Sequence, residues 1–336
     1  MYNHKFNEEF SRQQQFSQIE YFSQKRSNRL NEMDFLKENV RSGMVAIVGP
    51  PNAGKSTLMN HLLGQKISIV SHKPQTTRNR ILGIVNGEDY QIVLLDTPGL
   101  HKARQPLNRE MVRIAMESLS EVDAVVYMID VSLPLPEKQK EDAGQEMLEQ
   151  MKGVQAPVIL LLNKVDLLEK EKLLPMIKRY SDLYPFHGVL PVSALTGDGA
   201  DHLVQELLTL LPLGPRYFPE DVPTDVSERF LVTEIIREKV FLLTGQEVPY
   251  SCAVTIESFQ EDNVKQLTTI HATIVLERDS QKGIVIGKGG SKLKSIGIAA
   301  RKDIEKMLDQ KVLLKLWVKV KKNWSKDERF LKEIGF

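Results

Sequence analysis

The sequence predicts an α/β domain with a mainly parallel sheet, followed by a smaller α+β domain. Helix-like stretches separate most of six apolar, strand-like runs, which is the pattern of a parallel sheet covered by helices on both faces. The proline-dense stretch 211–223 then breaks any helix and marks a domain boundary. Helical and alternating periodicities return after it, as expected for a second unit. The six runs are 44–48, 80–85, 91–95, 123–130, 157–162 and 188–192.

Length and composition agree with two globular domains. The 336 residues are too many for one core of typical size, and 41% apolar with 26% charged residues is ordinary for a globular chain. A single cysteine, Cys252, excludes an internal disulfide framework. No apolar run reaches the ~18 residues of a membrane span, and no signal peptide is expected. Residues 1–42 are rich in Gln, Asn, Ser and charge, which predicts a disordered extension without an assigned task.

A phosphate-binding loop is predicted directly after the first strand. Gly49 and Gly54 flank four residues and are followed by Lys55 and Ser56, which is the spacing of a P-loop. Glycines let the backbone wrap around phosphates, Lys55 reaches the outer phosphates, and Ser56 supplies an oxygen to Mg²⁺. The nucleotide-binding residues predicted here are Gly49, Pro50, Pro51, Asn52, Ala53, Gly54, Lys55, Ser56 and Thr57.

A second phosphate-side motif follows the run 91–95, which ends in Asp96, Thr97, Pro98 and Gly99. An Asp at the end of a buried strand can hold Mg²⁺ through a water, and the Gly99 N–H can sense the terminal phosphate. The position after a P-loop, at a strand end, favours this function over an ordinary turn.

The next two strand ends predict a guanine site. Asp166 can accept hydrogen bonds from the N1–H and the exocyclic amine of guanine, whereas adenine has a lone pair at N1. Asn163 is expected to brace the loops, and the stem of Lys164 to cover one face of the base. After the last strand come Ser193 and Ala194, and the Ala194 N–H is predicted to donate to guanine O6. The expected ligands are therefore GTP or GDP with Mg²⁺.

These four motifs, in this order at strand ends, resemble the Ras-like P-loop GTPases of the translation-factor class over residues 43–211. The resemblance implies that the polar segment 73–78 is the first switch, whose threonine completes the Mg²⁺ shell. Thr77 is preferred to Thr76 because it matches the Thr-Thr-Arg pattern of Era-like and MnmE-like GTPases; spacing alone leaves both open. The predicted catalytic residues are Lys55, Thr77 and Gly99, and the predicted metal ligands are Ser56, Thr77 and Asp96.

Leu100 stands where Ras-type enzymes carry the glutamine that orients the attacking water. A low intrinsic rate of GTP hydrolysis is therefore expected. In some similar GTPases an Asn at the position of Asn52 helps to hold K⁺ near the phosphates, where it supplies positive charge. The alternative is that Asn52 only shapes the loop. Arg78 and Arg80 are disfavoured as internal arginine fingers, since arginines in a polar segment are usually solvated.

The second domain contains a glycine loop of another kind, with Gly287, Lys288, Gly289 and Gly290 between an apolar run and a basic helix-like stretch. Two strands precede this Gly-x-x-Gly loop and the strand-like run 312–320 follows it, which resembles a prokaryotic, type II KH domain. Between residues 282 and 326 there are thirteen basic residues and three acids, a charge balance suited to RNA phosphates. Leu293 and Ile296 are expected to wall a cleft for unstacked bases. The predicted RNA-binding residues are Gly287, Lys288, Gly289, Gly290, Lys292 and Lys294.

The combination of a Ras-like GTPase domain and a C-terminal KH domain resembles the Era family of bacterial GTPases. The resemblance implies a cytoplasmic protein, expected to be a monomer, that binds the 3′ region of small-subunit (16S) rRNA and helps to mature the 30S subunit. It also implies peripheral association with the membrane. The expected divisions are an extension (1–42), a GTPase domain (43–211), a proline-rich linker (212–227), a KH domain (228–325) and a tail (326–336).

Two other functions are weighed against this one. A tRNA-modifying GTPase of the MnmE type shares the first domain, but the KH pattern and the absence of a C-terminal cysteine disfavour it. A signalling switch whose KH domain binds a protein or membrane partner remains open.

Overall fold

The computed structural model describes residues 40–71, 80–97, 117, 119, 121–132, 151–245, 248, 251–262 and 264–334. Its first half is an α/β domain, as predicted. The helices and strands are β1 Val40–Val48, α1 Lys55–Leu63, β2 Ile81–Asn86, β3 Tyr90–Asp96, β4 Ala124–Asp130, β5 Val158–Asn163, α2 Leu173–Ser181, β6 Gly188–Val192, α3 Ala200–Leu210 and β7 Leu213–Gly214.

The strands form one sheet in the order β2-β3-β1-β4-β5-β6, in which only β2 runs antiparallel to its neighbour; β7 adds an antiparallel pairing to β1. Alternate residues of β1 lie in two different cores, Val45 and Ile47 on one face and Ala46 and Val48 on the other. This burial on both faces explains why the strands are continuous apolar runs. Because the central strands are parallel, their carboxyl ends and the loops that follow them lie along one edge.

The extension was predicted to reach residue 42, but β1 already begins at Val40. Val40 is 4% exposed, and Arg41 and Ser42 pair with β3. Arg41 also donates to the Leu211 carbonyl at 2.9 Å. Arg41 and Ser42 are polar, so the apolar run 44–48 did not indicate that the strand begins before them. Residues 1–39 lie outside the described part of the chain.

The proline-rich connector is packed against the first domain along most of its length. Arg216 donates to the carbonyl oxygens of Gly87, Glu88 and Tyr90 at 2.8–3.0 Å. The buried Gln91 side chain bonds backbone groups of the connector, and Thr224 forms an antiparallel bridge with Gly83 of β2. The connector thus extends the surface of the first domain.

The second domain contains α4 Glu228–Leu243, β8 Cys252–Asp262, β9 Leu267–Leu276, α5 Asp279–Ile286, α6 Ser291–Leu308, β10 Lys311–Val320 and α7 Glu328–Glu333. Its sheet has the order β10-β9-β8, with β10 parallel and β8 antiparallel to β9. Helices α4, α5 and α6 cover one face of this sheet. The helix-strand-strand-helix-helix-strand order confirms the predicted KH arrangement.

The tail packs on the opposite face of the second sheet. Trp324 is fully buried and Phe330 is 6% exposed, and both lie against Ala253 and Val275. Within the described residues, no helix is both long and apolar enough to cross a membrane.

Candidate nucleotide and RNA sites

The loop between β1 and α1 needs glycine at two positions because other strand ends approach it closely. A Cβ on Gly49 would lie 2.1 Å from the Met128 carbonyl oxygen, and one on Gly54 would lie 2.1 Å from Asn163 Nδ2. Both residues also have positive φ angles, 152° and 105°. The loop is therefore shaped by its contacts with β4 and β5 as well as by its own sequence.

Lys55, the first residue of α1, is buried at the centre of this loop. Its Nζ donates to the carbonyl oxygens of Gly49 at 2.9 Å and Pro50 at 3.0 Å. Burial lowers the pKa of Lys55 to about 8, although the nearby Asp96 carboxylate opposes the shift. Asp96 therefore compensates the buried ammonium charge only in part. A bound phosphate would supply the missing negative charge.

Ser56 and Asp96, two of the predicted metal ligands, lie in direct contact. Ser56 Oγ donates to Asp96 Oδ2 at 2.7 Å, which brings together the start of α1 and the end of β3. Hydroxyl and carboxylate oxygens are hard ligands that suit Mg²⁺ when phosphates and waters complete its shell. Thr97 is also buried, but its Oγ1 donates to the Ile47 carbonyl oxygen at 2.8 Å. Its side chain therefore holds β3 to β1.

Thr77, with the whole segment 73–78, and Pro98, Gly99 and Leu100 lie outside the described residues. Their roles remain predictions.

Asn163 braces the loops, as the sequence suggested. Its Nδ2 donates to the Ala53 carbonyl oxygen at 2.6 Å, and its Oδ1 accepts from the Ala194 N–H at 2.9 Å. One buried side chain thus links the phosphate loop with the loop after β6. The Ala194 N–H already donates to Asn163, so it could donate to guanine O6 only if the two acceptors shared this N–H. The contact with guanine stays a prediction.

The loop after β5 carries Asp166 in an exposed position, within a 3-10 turn of residues 165–167. Lys164 has a positive φ of 69° and pairs with Asp130 at the end of β4. Asp130 Oδ1 also accepts from the N–H and hydroxyl of Ser132. Sequence reasoning missed Asp130, although its place at the end of the run 123–130 was a usable signal.

The remaining predicted nucleotide residues line the same edge of the sheet. Asn52 is exposed with a φ of 65°, and the buried Ser193 accepts from the Thr196 N–H at 3.3 Å. Pro50, Pro51 and Thr57 are partly exposed in the loop and the first turn of α1.

In the second domain the Gly-x-x-Gly loop joins α5 to the long helix α6. Gly287 has a φ of 71°, and a Cβ there would lie 2.7 Å from that of Lys292. Gly289 and Gly290 have φ angles of 58° and 78°. A Cβ on either residue would have no neighbour within 4 Å. The loop therefore leaves room for a backbone to approach it at the positive end of α6. Lys288 and Lys294 are exposed there, and Lys292 is half-buried.

The predicted cleft wall needs a correction. Ile296 is fully buried in the core between α6 and the sheet, and Leu293 is packed partly against the same core. Ile296 cannot contact a base without unpacking this core. Ile298 on α6 and Ile284 on α5 are the exposed apolar residues, at 54% and 43%. Helical periodicity gave the apolar positions but could not distinguish core from cleft.

Comparisons with known proteins identify both domains. A family described as 50S ribosome-binding GTPase matches residues 44–164, and the KH domain family matches residues 247–325. GTPase Era of Geobacter metallireducens is 54% identical over 296 residues, which are 88% of this chain and 98% of that protein. GTPase Era of Staphylococcus haemolyticus is 46% identical over 297 residues, with coverages of 88% and 97%.

Two solved Era structures superpose with a TM-score of 0.83 at 40% identity, over 88% of this chain and 99% of theirs. One is an Era variant of Aquifex aeolicus bound to GDP·AlF4⁻. The other is Era in complex with MgGDPNP and nucleotides 1506–1542 of 16S ribosomal RNA.

Proposed function

Because the chain belongs to the Era family and is a GTPase, we propose that its KH domain binds the 3′ region of 16S rRNA and that it acts in 30S subunit assembly and maturation. The observation that carries this proposal is the match to an Era structure that contains both MgGDPNP and a 16S rRNA segment. The match extends over 99% of the chain in that structure. A cytoplasmic location, a monomeric state and a membrane-associated fraction accompany it as predictions.

The nucleotide would lie along the carboxyl edge of the first sheet. Lys55 would exchange its two carbonyl partners for phosphate oxygens, which is favourable because burial already disfavours its isolated charge. Ser56 and Asp96 would hold Mg²⁺, which neutralises phosphate charge when bound. Asp166 would read the guanine edge, with Asn163 fixing the loops on either side of it.

Hydrolysis is proposed to be slow and dependent on a cation. No glutamine follows Gly99 to orient water, since Leu100 occupies that position. Asn52 is exposed in the phosphate loop, where a K⁺ ligand is needed. We therefore expect faster GTP hydrolysis in K⁺ than in Na⁺, with the difference lost in Asn52→Ala; equal rates in the two salts would exclude this role.

Contacts between the two domains offer a route by which the nucleotide state could change RNA affinity. Lys66 lies shortly before the predicted switch segment 73–78, and its Nζ binds Glu238 of α4 at 2.6 Å and Asp303 of α6 at 3.2 Å. Glu238 also accepts from the Val70 N–H at 3.4 Å. The Gly-x-x-Gly loop immediately precedes α6. We call this set, Lys66, Val70, Glu238, Lys239 and Asp303, the interdomain clamp.

The clamp is a charged network whose members depend on one another. Burial alone would raise the pKa of Asp303, but hydrogen bonds from Lys239 and Lys66 hold it below its usual value. Burial likewise opposes the charge on Lys239, whose pKa is nevertheless raised by its bonds to Asp303 and Glu238. A shift of the chain near Lys66 would therefore disturb groups on both α4 and α6.

The coupling can be tested by comparing RNA affinity with GDP and with a slowly hydrolysed GTP analogue. The unaltered protein should show a difference within the 5- to 150-fold range that is typical of coupled sites, and Lys66→Met should reduce it. Lys172→Met is a matched control, because its ion pair with Glu169 lies within the first domain. Equal RNA affinity in both nucleotide states would refute the coupling.

The cellular function itself is tested by sequencing RNA crosslinked to the protein loaded with the GTP analogue. Gly289→Asp is the control, because an aspartate tolerates positive φ and would meet no neighbour there, so the fold should survive while phosphates are repelled. Enrichment of the 16S 3′ end that vanishes in the control supports the proposal. Enrichment unchanged by Gly289→Asp, or none at all, would favour the alternative of a switch that acts on a protein or membrane partner.

A further inference from the structure

The KH sheet has a second face that the Gly-x-x-Gly loop does not use. Along β10, residues 312, 314, 316 and 318 pack into the core beneath the helices, and the alternate residues point to the other side. These alternate side chains are all exposed, with Trp317 at 48% and Leu313 at 44%. We call them the outer stripe. Its members are Lys311, Leu313, Lys315, Trp317 and Lys319.

Tail residues cover one end of this face, beside the outer stripe. Trp324 and Phe330 pack on Val275, which is the register partner of Lys319. Beyond that point, no described tail residue continues the cover over Trp317. One end of the sheet face is therefore closed by aromatic packing while the adjacent part stays open among the described residues.

Trp317 is held by its neighbours in the sheet. The His271 ring on β9 packs against the indole with a centroid distance of 5.2 Å and an interplanar angle of 71°. An indole on a paired strand, restrained by a second ring, loses little freedom when a ligand binds. Half of its surface remains available for contact.

The charge around Trp317 is positive and poorly compensated. Lys315 and Lys319 flank it along the strand, and neither forms an ion pair with another described residue. Of the described acids on this face, Glu257 and Asp262 lie on β8, two strands or about 10 Å away. Glu277 and Asp327 lie at the end covered by the tail, where Glu277 accepts from Ser325 and Asp327 pairs with Lys321. Glu257 accepts from Thr255 at 3.1 Å and Asp262 pairs with Lys265 at 3.1 Å.

Lys311 contributes less to this positive charge than the other two lysines. It lines a shallow pocket together with Glu305 and Asp309, so acids lie close to it. Lys315 and Lys319 therefore carry most of the uncompensated positive charge of the outer stripe.

We propose that the outer stripe is a second RNA-binding surface, on which a base stacks on Trp317 while Lys315 and Lys319 contact phosphates. Stacking on an exposed aromatic beside basic side chains is the usual way in which a sheet face holds single-stranded RNA. A protein partner fits less well, since lysines are depleted at the centres of protein interfaces. The inference rests on the proposed RNA-binding function and extends it.

The length of the RNA supports a second surface. A Gly-x-x-Gly loop holds about four nucleotides. The segment in the solved Era complex, nucleotides 1506–1542, is several times longer. An RNA of that length reaches well beyond the loop.

The test compares two RNAs bound to the full-length protein with the GTP analogue. The long RNA corresponds to nucleotides 1506–1542, and the short one is the smallest piece of it whose binding is lost in Gly289→Asp. Trp317→Ala should lower the affinity for the long RNA by about five- to a hundred-fold and leave the affinity for the short RNA unchanged. Trp317→Phe should retain most of the affinity, which also shows that the sheet tolerates substitution there.

The lysines are tested by salt dependence. Replacing both Lys315 and Lys319 by Gln should reduce the slope of log affinity against log salt by about 1.4 for the long RNA, at about 0.7 for each lost phosphate contact. Lys178→Gln, an exposed lysine on α2 of the first domain, is the matched control and should leave the slope unchanged.

Fluorescence gives an independent readout because the chain has two tryptophans and Trp324 is fully buried. The long RNA should quench emission, and so should acrylamide before RNA is added. Weak acrylamide quenching of Trp317 would mean that another part of the chain covers the stripe, which overturns the inference.

Two further outcomes separate this inference from the proposed function. If Trp317→Ala binds the long RNA normally, or weakens both RNAs equally, while Gly289→Asp still abolishes binding, the stripe is not an RNA surface and the KH function stands. If neither substitution affects RNA binding, the inference about the outer stripe and the proposed RNA-binding function of the KH domain are both wrong.

Discussion

Lys55 should give the nucleotide-free protein a distinctive dependence of stability on pH. Burial lowers its pKa from 10.5 to about 8. Between these pH values the unfolded chain binds a proton that the folded chain does not, so the free energy of unfolding should rise with pH in this window. Below pH 8 both states are protonated and the full penalty of burying the charge is present.

The size of the effect follows from the pKa difference. At about 1.4 kcal/mol per pKa unit, the penalty at pH 7 is about 3 kcal/mol. About 2 kcal/mol of it should be relieved by pH 9.5, where the folded lysine is largely neutral. The direction is opposite to that of a lysine stabilised by an ion pair, whose contribution falls as pH rises.

The assay is urea unfolding of the nucleotide-free protein at pH 7 and pH 9.5, for the unaltered chain and Lys55→Met. Unfolding is followed by far-ultraviolet circular dichroism, which includes the helices and strands of the first domain. Tryptophan fluorescence would report only on the second domain, where Trp317 and Trp324 lie. Subtracting the variant's pH response removes the contribution of all other titrating groups. The exposed Lys178, replaced by Met, should behave like the unaltered protein.

The reasoning would be refuted if the free energy of unfolding changed equally between pH 7 and pH 9.5 in Lys55→Met and in the unaltered chain. Lys55 would then have the same pKa in the folded and unfolded states. GDP with Mg²⁺ provides a second check. Phosphates stabilise the charged lysine and raise its pKa again, so bound nucleotide should abolish most of the difference between the two pH values.

Two substitutions test other parts of the structure. Asn163→Ala leaves a buried carbonyl and a buried N–H without their partner, so it should lower the free energy of unfolding by about 2–6 kcal/mol in urea; a loss below about 1 kcal/mol would contradict the bracing role. Arg216→Ala removes three hydrogen bonds between the connector and the first domain and should increase amide hydrogen exchange in residues 212–226; unchanged exchange would show that these bonds do not hold the connector.

The sequence was most informative where a chemical requirement fixes both residue type and spacing. The P-loop, Asp96 and Asn163 follow apolar runs, and parallel strands bring such positions to one edge of the sheet. The bracing by Asn163 could be anticipated because the residue stands between a buried strand and the proposed base loop. The Gly-x-x-Gly loop was recognisable from the elements on either side of it.

Features that depend on the packing of distant segments were missed. Lys66 contacts Glu238 and Asp303, which lie 172 and 237 residues further along the chain. No local periodicity encodes such pairs, since each of these residues resembles an ordinary solvated charge. The connector was read correctly as proline-rich, but nothing in that composition indicates that its backbone bonds to β2 and β3. Ile296 was misassigned for a related reason, because an apolar position suits both a core and a cleft.

The interdomain clamp and the connector differ in how easily they can be broken. The connector bonds the first domain through many backbone and side-chain groups, including the nearly buried Arg216. The clamp has fewer bonds, and the Lys66 side chain is 39% exposed, so solvent screens part of its attraction. If the nucleotide moves the KH domain relative to the GTPase domain, the clamp is therefore the contact that should give way while the connector acts as the pivot. A crosslink that joins position 66 to position 303 should then reduce the difference in RNA affinity between GTP and GDP, whereas one that joins position 216 to position 88 should not.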